Sequence, residues 1–136
     1  MRSSTKSSHD LNCFSCGSEN DDGLKLNFHQ RENGEVFVIF YPNKKYQSYE
    51  NILHGGIQSL LLDAVMVQAI KRCGDEAVTG KMEFKFLKQV SINQIIEVTA
   101  TINEKRGDFY IVSSWIKQKR EIKTKSSGIY KKRSRT

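Results

Sequence analysis

The stretch His54-Gly55-Gly56-Ile57-Gln58-Ser59-Leu60-Leu61-Leu62-Asp63 decides how this chain is read. Two glycines open a long apolar run, and a residue without a Cβ lets another group approach the backbone closely. The first N–H groups of a helix have no intrahelical acceptor and stand at the positive end of the dipole. Such a start can hold a developing oxyanion, although Gly55-Gly56 taken alone reads equally well as a tight turn. Asp63 moves the balance. A carboxylate set within Leu60 to Val67 is costly unless it reaches water, pairs with a base or serves as one. Asp63 follows Gly56 by seven residues, which returns it to the same helix face about 10 Å further along the axis. That is too far for one chain's glycines and carboxylate to grip a single carbonyl. Two antiparallel helices from two subunits, each lending one element, solve the problem, so the spacing predicts a homodimer with shared sites.

The elements around this stretch follow from periodicity. Ile57 to Arg72 predicts one helix that follows the two glycines and ends at Cys73-Gly74. Its apolar arc covers most of the circumference, as expected of a helix enclosed by other structure. Before it, Leu24, Leu26 and Phe28 alternate with polar residues, and Val36, Val38 and Phe40 resume the alternation up to Pro42. After it, Val78, Gly80, Met82, Phe84 and Phe86 are expected on one strand face. Ile96 to Ile102, Phe109 to Ile116 and a weaker, polar Ile122 to Tyr130 complete the set. Trp115 and Phe84 are read as core or interface residues. Two strands, one buried helix and four strands with short connections predict an α+β domain: an antiparallel sheet of about six strands around one long central helix. The domain is expected over residues 11–130, between a disordered 1–10 and a basic tail, 131–136.

Of the net charge of +7, Lys117 to Thr136 carries +8 and the remainder −1. The basic character thus belongs to the last strand and tail, which reads first as a solvated run and second as an attraction for phosphates. No stretch reaches the roughly 18 apolar residues of a membrane helix, so no membrane partner is expected, and nucleic acid is an unlikely one. Met1 to Asp10 has no apolar run, so no secretory signal is expected. With three cysteines, that predicts reduced thiols and a cytoplasmic protein.

The run His54-Gly55-Gly56, five variable residues, Leu62-Asp63 resembles the motif of phenylacetate-degradation (PaaI-like) thioesterases of the hotdog superfamily. The resemblance extends to Cys13-Phe14-Ser15-Cys16-Gly17 with Gly23-Leu24, to Ala77-Val78-Thr79, and over roughly Asn12 to Tyr130. It implies the hotdog fold, a homodimer or homotetramer (a dimer of dimers), and hydrolysis of an acyl-coenzyme A thioester without cofactor or metal. In that family Asp63 would be the general base and the Gly55 N–H would polarise the carbonyl, with His54 beside it. Thr79 would help orient the water, and Gly56 would lie against the substrate. Relatives often place an Asn or Gln six residues before the histidine. Here that position is Ser48, with Gln47 and Asn51 as nearby substitutes. Proline is also absent at Asp22 and Gln89, where relatives commonly carry one. A non-catalytic acyl-coenzyme A sensing module is the alternative on the same fold. Cys13-x-x-Cys16 offers two thiolates where a structural zinc wants four ligands, so a structural role is expected and a redox role less so, no βαβ pattern surrounding the pair.

Overall fold

The structure is a computed structural model that describes residues 2–3 and 11–133. Seven strands form one antiparallel sheet: β1 (Arg2–Ser3), β2 (His29–Gln30), β3 (Val36–Phe40), β4 (Ala77–Phe86), β5 (Ile96–Arg106), β6 (Phe109–Gln118) and β7 (Glu121–Lys132). Their spatial order is β1-β2-β3-β5-β6-β7-β4, so β4, which follows the helix in sequence, lies at the far edge beside the last strand. One helix, α1 (Gly55–Lys71), packs against one face. This is the expected hotdog architecture, with five strands of useful length and two of two residues each.

Helix α1 begins earlier than its apolar run. His54 is the N-cap, its side chain accepting from the Gly56 N–H, so both glycines lie inside the first turn rather than before it. The helix stops at Arg72, and Gly74 (φ 90°) supplies the left-handed residue that ends such helices. Leu61, Leu62, Val65, Met66 and Ile70 are fully buried against Val36, Val38, Ile96, Val98, Val112 and Ile116 of the sheet. Burying each such side chain contributes about 1.5–3 kcal/mol. Enclosure is incomplete along one stripe. Gly56 is exposed and Leu60, Asp63 and Val67 are half-buried, at positions i, i+4, i+7 and i+11.

Several expected strands are reshaped. Leu26 and Phe28 are buried as their alternation required, yet residues 24–28 make no ladder. Lys25 adopts φ 51°, and the Leu24 and Leu26 N–H groups donate to the Phe14 and Ser15 carbonyls of the preceding loop. In β4 the register against β7 shifts between Thr79 and Lys81, a bulge at Gly80. Met82 and Phe84 pack on the core, but Val78 leaves their face and is 52% exposed. A bulge reverses which side chains face inward, and here it turns Thr79 toward the helix. The weak last strand is the longest, at 12 residues, and runs through Lys131 and Lys132. Of the expected disordered and tail segments, Arg2–Ser3 pairs with His29–Gln30, whereas residues 1, 4–10 and 134–136 lie outside the described ones. Of the two readings of Trp115, the core one is set aside: it faces away from the helix, half-exposed and directly opposite Lys125.

A charged cluster ties the chain's end to the helix end. Asp75 accepts from the Tyr110 hydroxyl and pairs with Lys105 and Lys132, both at 3.3 Å. The Tyr110 hydroxyl, then the two lysines, hold its carboxyl at about 2 against an ordinary 3.8. Lys123 and Lys88 lower Glu121 similarly, to about 2 from 4.5. A carboxylate with a depressed folded pKa adds stability that is present above its unfolded value and is lost as pH falls through the folded one. The melting temperature is therefore expected to drop between pH 4.5 and about 2. Asp75→Asn should lower it at neutral pH and flatten that drop. An unchanged acid limb in the variant would contradict the assignment.

Candidate active site

Two constellations sit on α1 and do not meet within one chain. The first is the helix start. His54 Nδ1 accepts from the Gly56 N–H at 2.8 Å, and the His54 backbone N–H donates to the Tyr46 carbonyl at 2.8 Å. The imidazole thus caps the helix. A Cβ on Gly56 would stand 2.9 Å from that ring, so glycine at this position is what lets His54 fold over the helix end. With the Gly56 donor taken, the N–H groups of Gly55 and Ile57 are left without acceptors among the described residues. Gly55 opens on a cleft of about 290 Å³ lined also by Ser48, Ile52, Leu53, Gln58, Phe86, Leu87, Lys88 and Gln89.

The residues around the expected amide position divide. Gln47 is spent on the loop, its side-chain oxygen accepting from the Asn51 N–H at 3.2 Å. Asn51 holds φ 68° in a tight turn, and its carbonyl accepts from the Ile92 N–H. Neither lines the cleft. Ser48 does, its hydroxyl donating weakly to the Ile52 carbonyl at 3.5 Å. The sequence reading passed over Gln89 as a site residue, noting only the missing proline. It lines the cleft with no intramolecular partner for its amide among the described residues. Gln58 is engaged, donating to the Leu53 carbonyl and accepting from Thr124.

The second constellation surrounds Asp63. Its Oδ1 accepts from the Thr79 hydroxyl at 2.9 Å and from the Tyr130 hydroxyl at 2.7 Å. Oδ2 has no protein donor among the described residues. This is how a carboxylate survives beside leucines: two hydroxyls hold one oxygen and the other is left open. Thr79 reaches it because of the Gly80 bulge. Tyr130 was missed entirely. It is fully buried on β7, burial and the Asp63 carboxylate both pushing its phenol upward, so it stays a donor. Gly128 makes room for it, since a Cβ there would stand 2.6 Å from the Tyr130 ring. Tyr130→Phe keeps the ring and removes one donor to a carboxylate, which should cost about 2 kcal/mol. Chemical denaturation checks this, and an unchanged midpoint would remove Tyr130 from the Asp63 network.

Asp63, Thr79 and Tyr130 are absent from the lining of the Gly55 cleft. Phe86, at the end of β4, stands by Gly55, whereas Thr79, near its start, stands by Asp63. Seven residue steps separate them, roughly 23 Å along the strand.

A capped glycine helix start and a hydroxyl-held aspartate thus share the long helix of an antiparallel sheet with the hotdog fold. A sequence model of the thioesterase superfamily matches residues 50–114, just under half of the chain. A curated Saccharomyces cerevisiae protein, MIOREX complex component 3, is 26% identical over 99 residues, 68% of this chain. The chain spans about a third of that relative's length, 35%. Among solved structures, a thioesterase superfamily protein aligns with TM-score 0.80 at 19% identity, covering 85% of this chain and 61% of the other. The E. coli PaaI protein of the phenylacetic acid degradation operon aligns at TM-score 0.75 and 16% identity, covering 82% and 81%. A Bacillus halodurans protein with coenzyme A aligns at TM-score 0.74 and 23% identity, covering 86% and 80%.

Proposed function

We propose that the protein is a homodimeric acyl-coenzyme A thioesterase of PaaI-like type, in which Asp63 of one subunit and the helix start of the other share each site. The observation that carries this reading is the Asp63 carboxylate, with Thr79 and Tyr130 on Oδ1 and an open Oδ2. It supports general-base chemistry because a base needs a free lone pair in a fixed direction. The match to the thioesterase superfamily model and the coenzyme A held by a structural neighbour favour an acyl-coenzyme A substrate. In the proposed reaction Oδ2 takes a proton from water as the water attacks the thioester carbonyl. The carbonyl oxygen becomes an oxyanion against the Gly55 N–H at the positive end of α1. Gln89, on the same cleft, supplies the second donor that relatives take from the position of Ser48. Collapse of the intermediate breaks the C–S bond and releases coenzyme A as the thiol, its proton coming from Asp63.

Sharing between subunits is supported by the stripe of Gly56, Leu60, Asp63 and Val67, which one sheet leaves partly open. β4, which carries the exposed Val78 and Phe86, is also a free edge of the sheet.

The test is steady-state release of free thiol from a panel of short, branched, long-chain and aryl acyl-coenzyme A substrates. Turnover of at least one, abolished with the base removed, upholds the reading. Saturable binding with no thiol release across the panel would replace it with the sensing module, the reading that Ser48 at the amide position favours.

A further inference from the structure

Cys13 and Cys16 have no part in the proposed site, yet the fold arranges them with care. The Gly17 N–H donates to the Cys13 carbonyl at 2.7 Å, closing a single turn over Cys13 to Gly17. The chain doubles back so tightly that a Cβ on Gly17 would stand 2.3 Å from the Cys13 nitrogen and 2.4 Å from the Leu11 carbonyl oxygen. A turn closed from residue i to i+4 sets Cα atoms three apart about 5 Å from each other by helical geometry, inside the span a disulfide accepts.

The two thiols are placed differently. Cys13 is exposed, with the Ser15 hydroxyl 3.2 Å from its sulfur. Cys16 is 3% exposed, in the hydrophobic core, with the Gln68 amide 3.9 Å from its sulfur. Burial acts to raise Cys13, but the Ser15 hydroxyl, the backbone at Cys16 and Ser15 and the Cys16 thiol outweigh it and lower its pKa. Cys16 is pushed up to about 11, by burial first and by Cys13 next. Cys73, the remaining cysteine, is raised by burial and by Asp75. An accessible thiol stabilised as thiolate beside a buried thiol is the division between an attacking and a resolving cysteine.

We propose that Cys13 and Cys16 form a thiol–disulfide exchange site for small-molecule disulfides, in which Cys13 attacks and Cys16 resolves. The Cys13 thiolate forms a bond to one sulfur of the small disulfide, whose S–S bond breaks and releases one thiolate. Cys16 then attacks the Cys13 sulfur of that mixed disulfide and expels the second small thiolate. The protons of Cys13 and Cys16 end on the two released thiols. The protein is oxidised by two electrons and the small disulfide is reduced by two. A metal-ligand role for the pair is disfavoured by the donor set, since no cluster of three metal-ligating side chains exists among the described residues.

The test uses the full chain carrying Cys73→Ser, so that only this pair reacts, with oxidised glutathione as the probe. Both thiols should disappear together, with loss of two hydrogens in the intact mass and no lasting adduct. Adding Cys16→Ser should trap one glutathione on Cys13. Adding Cys13→Ser should slow the reaction by at least about tenfold, and Ser15→Ala should slow the first step without moving the melting temperature. If Cys16→Ser does not fold, peptide mapping of the oxidised parent decides, a Cys13–Cys16 link upholding the site and its absence overturning it. Equal reaction rates with Cys13 removed, a stable glutathione adduct on the parent, or one zinc per chain protecting both thiols would each overturn it.

Discussion

Asp63→Asn is expected to fold, to melt within a few degrees of the parent and to lose turnover by about 10²-fold or more, the contribution typical of a general base. The side-chain oxygen that accepts from Thr79 and Tyr130 survives in the amide, so the hydrogen bonds at 2.9 and 2.7 Å need not break. What changes is the open position. An amide nitrogen there has no lone pair for a proton and presents donors instead. The loss should fall on kcat and equally on kcat/KM, because the base acts in the transition state rather than in substrate binding. Steady-state kinetics on the best substrate, with circular dichroism to establish folding, checks this. Near-parental turnover in a folded Asp63→Asn protein would end the general-base mechanism.

The parts of the site that were legible in the sequence are those carried by the helix. A run of leucines interrupted by one aspartate announces both a buried helix and a carboxylate that needs an explanation, and the seven-residue spacing to Gly56 already separates the two elements. His54 as the cap was not legible from pattern alone, since histidine is not among the favoured capping residues. It caps because Gly56 leaves space for the ring.

The sheet side of the site was legible only in part, and the reason is the same in each case: burial and polarity parted company. The last strand read as weak because its inward positions are Thr124, Ser126, Gly128 and Tyr130. Thr124 is satisfied by the Gln58 oxygen at 2.6 Å, and Gly128 yields its volume to the Tyr130 ring and Met66. The periodicity that finds an apolar face therefore overlooked the strand carrying the second hydroxyl on Asp63. In β4 the alternation pointed Thr79 away from the helix, and only the family resemblance gave it a role. The Gly80 bulge reverses that alternation locally. The turn at Lys119-Arg120 was equally hidden, because both residues take positive φ, 52° and 66°, in a two-residue hairpin turn that glycine and asparagine usually fill. Gln89 was noticed for the proline it replaces, and its place on the Gly55 cleft depended on a loop without periodicity.

The most direct test of the shared site is complementation between two inactive subunits. Gly55→Val places a branched side chain at the N–H of the cleft. A Cβ there meets only the Phe86 ring, at 3.8–3.9 Å, so the backbone has no cause to move. Chains carrying Gly55→Val alone, and chains carrying Asp63→Asn alone, should each assemble and be inactive. Co-expressed with different tags and purified as the heterodimer, they form one site with both lesions and one with neither. If each site draws Gly55 from one subunit and Asp63 from the other, the heterodimer recovers about half of the parental thiol-release activity, one intact site in two. A verified heterodimer as inactive as its parents would show both elements serving one site from one chain, and would contradict the interfacial mechanism.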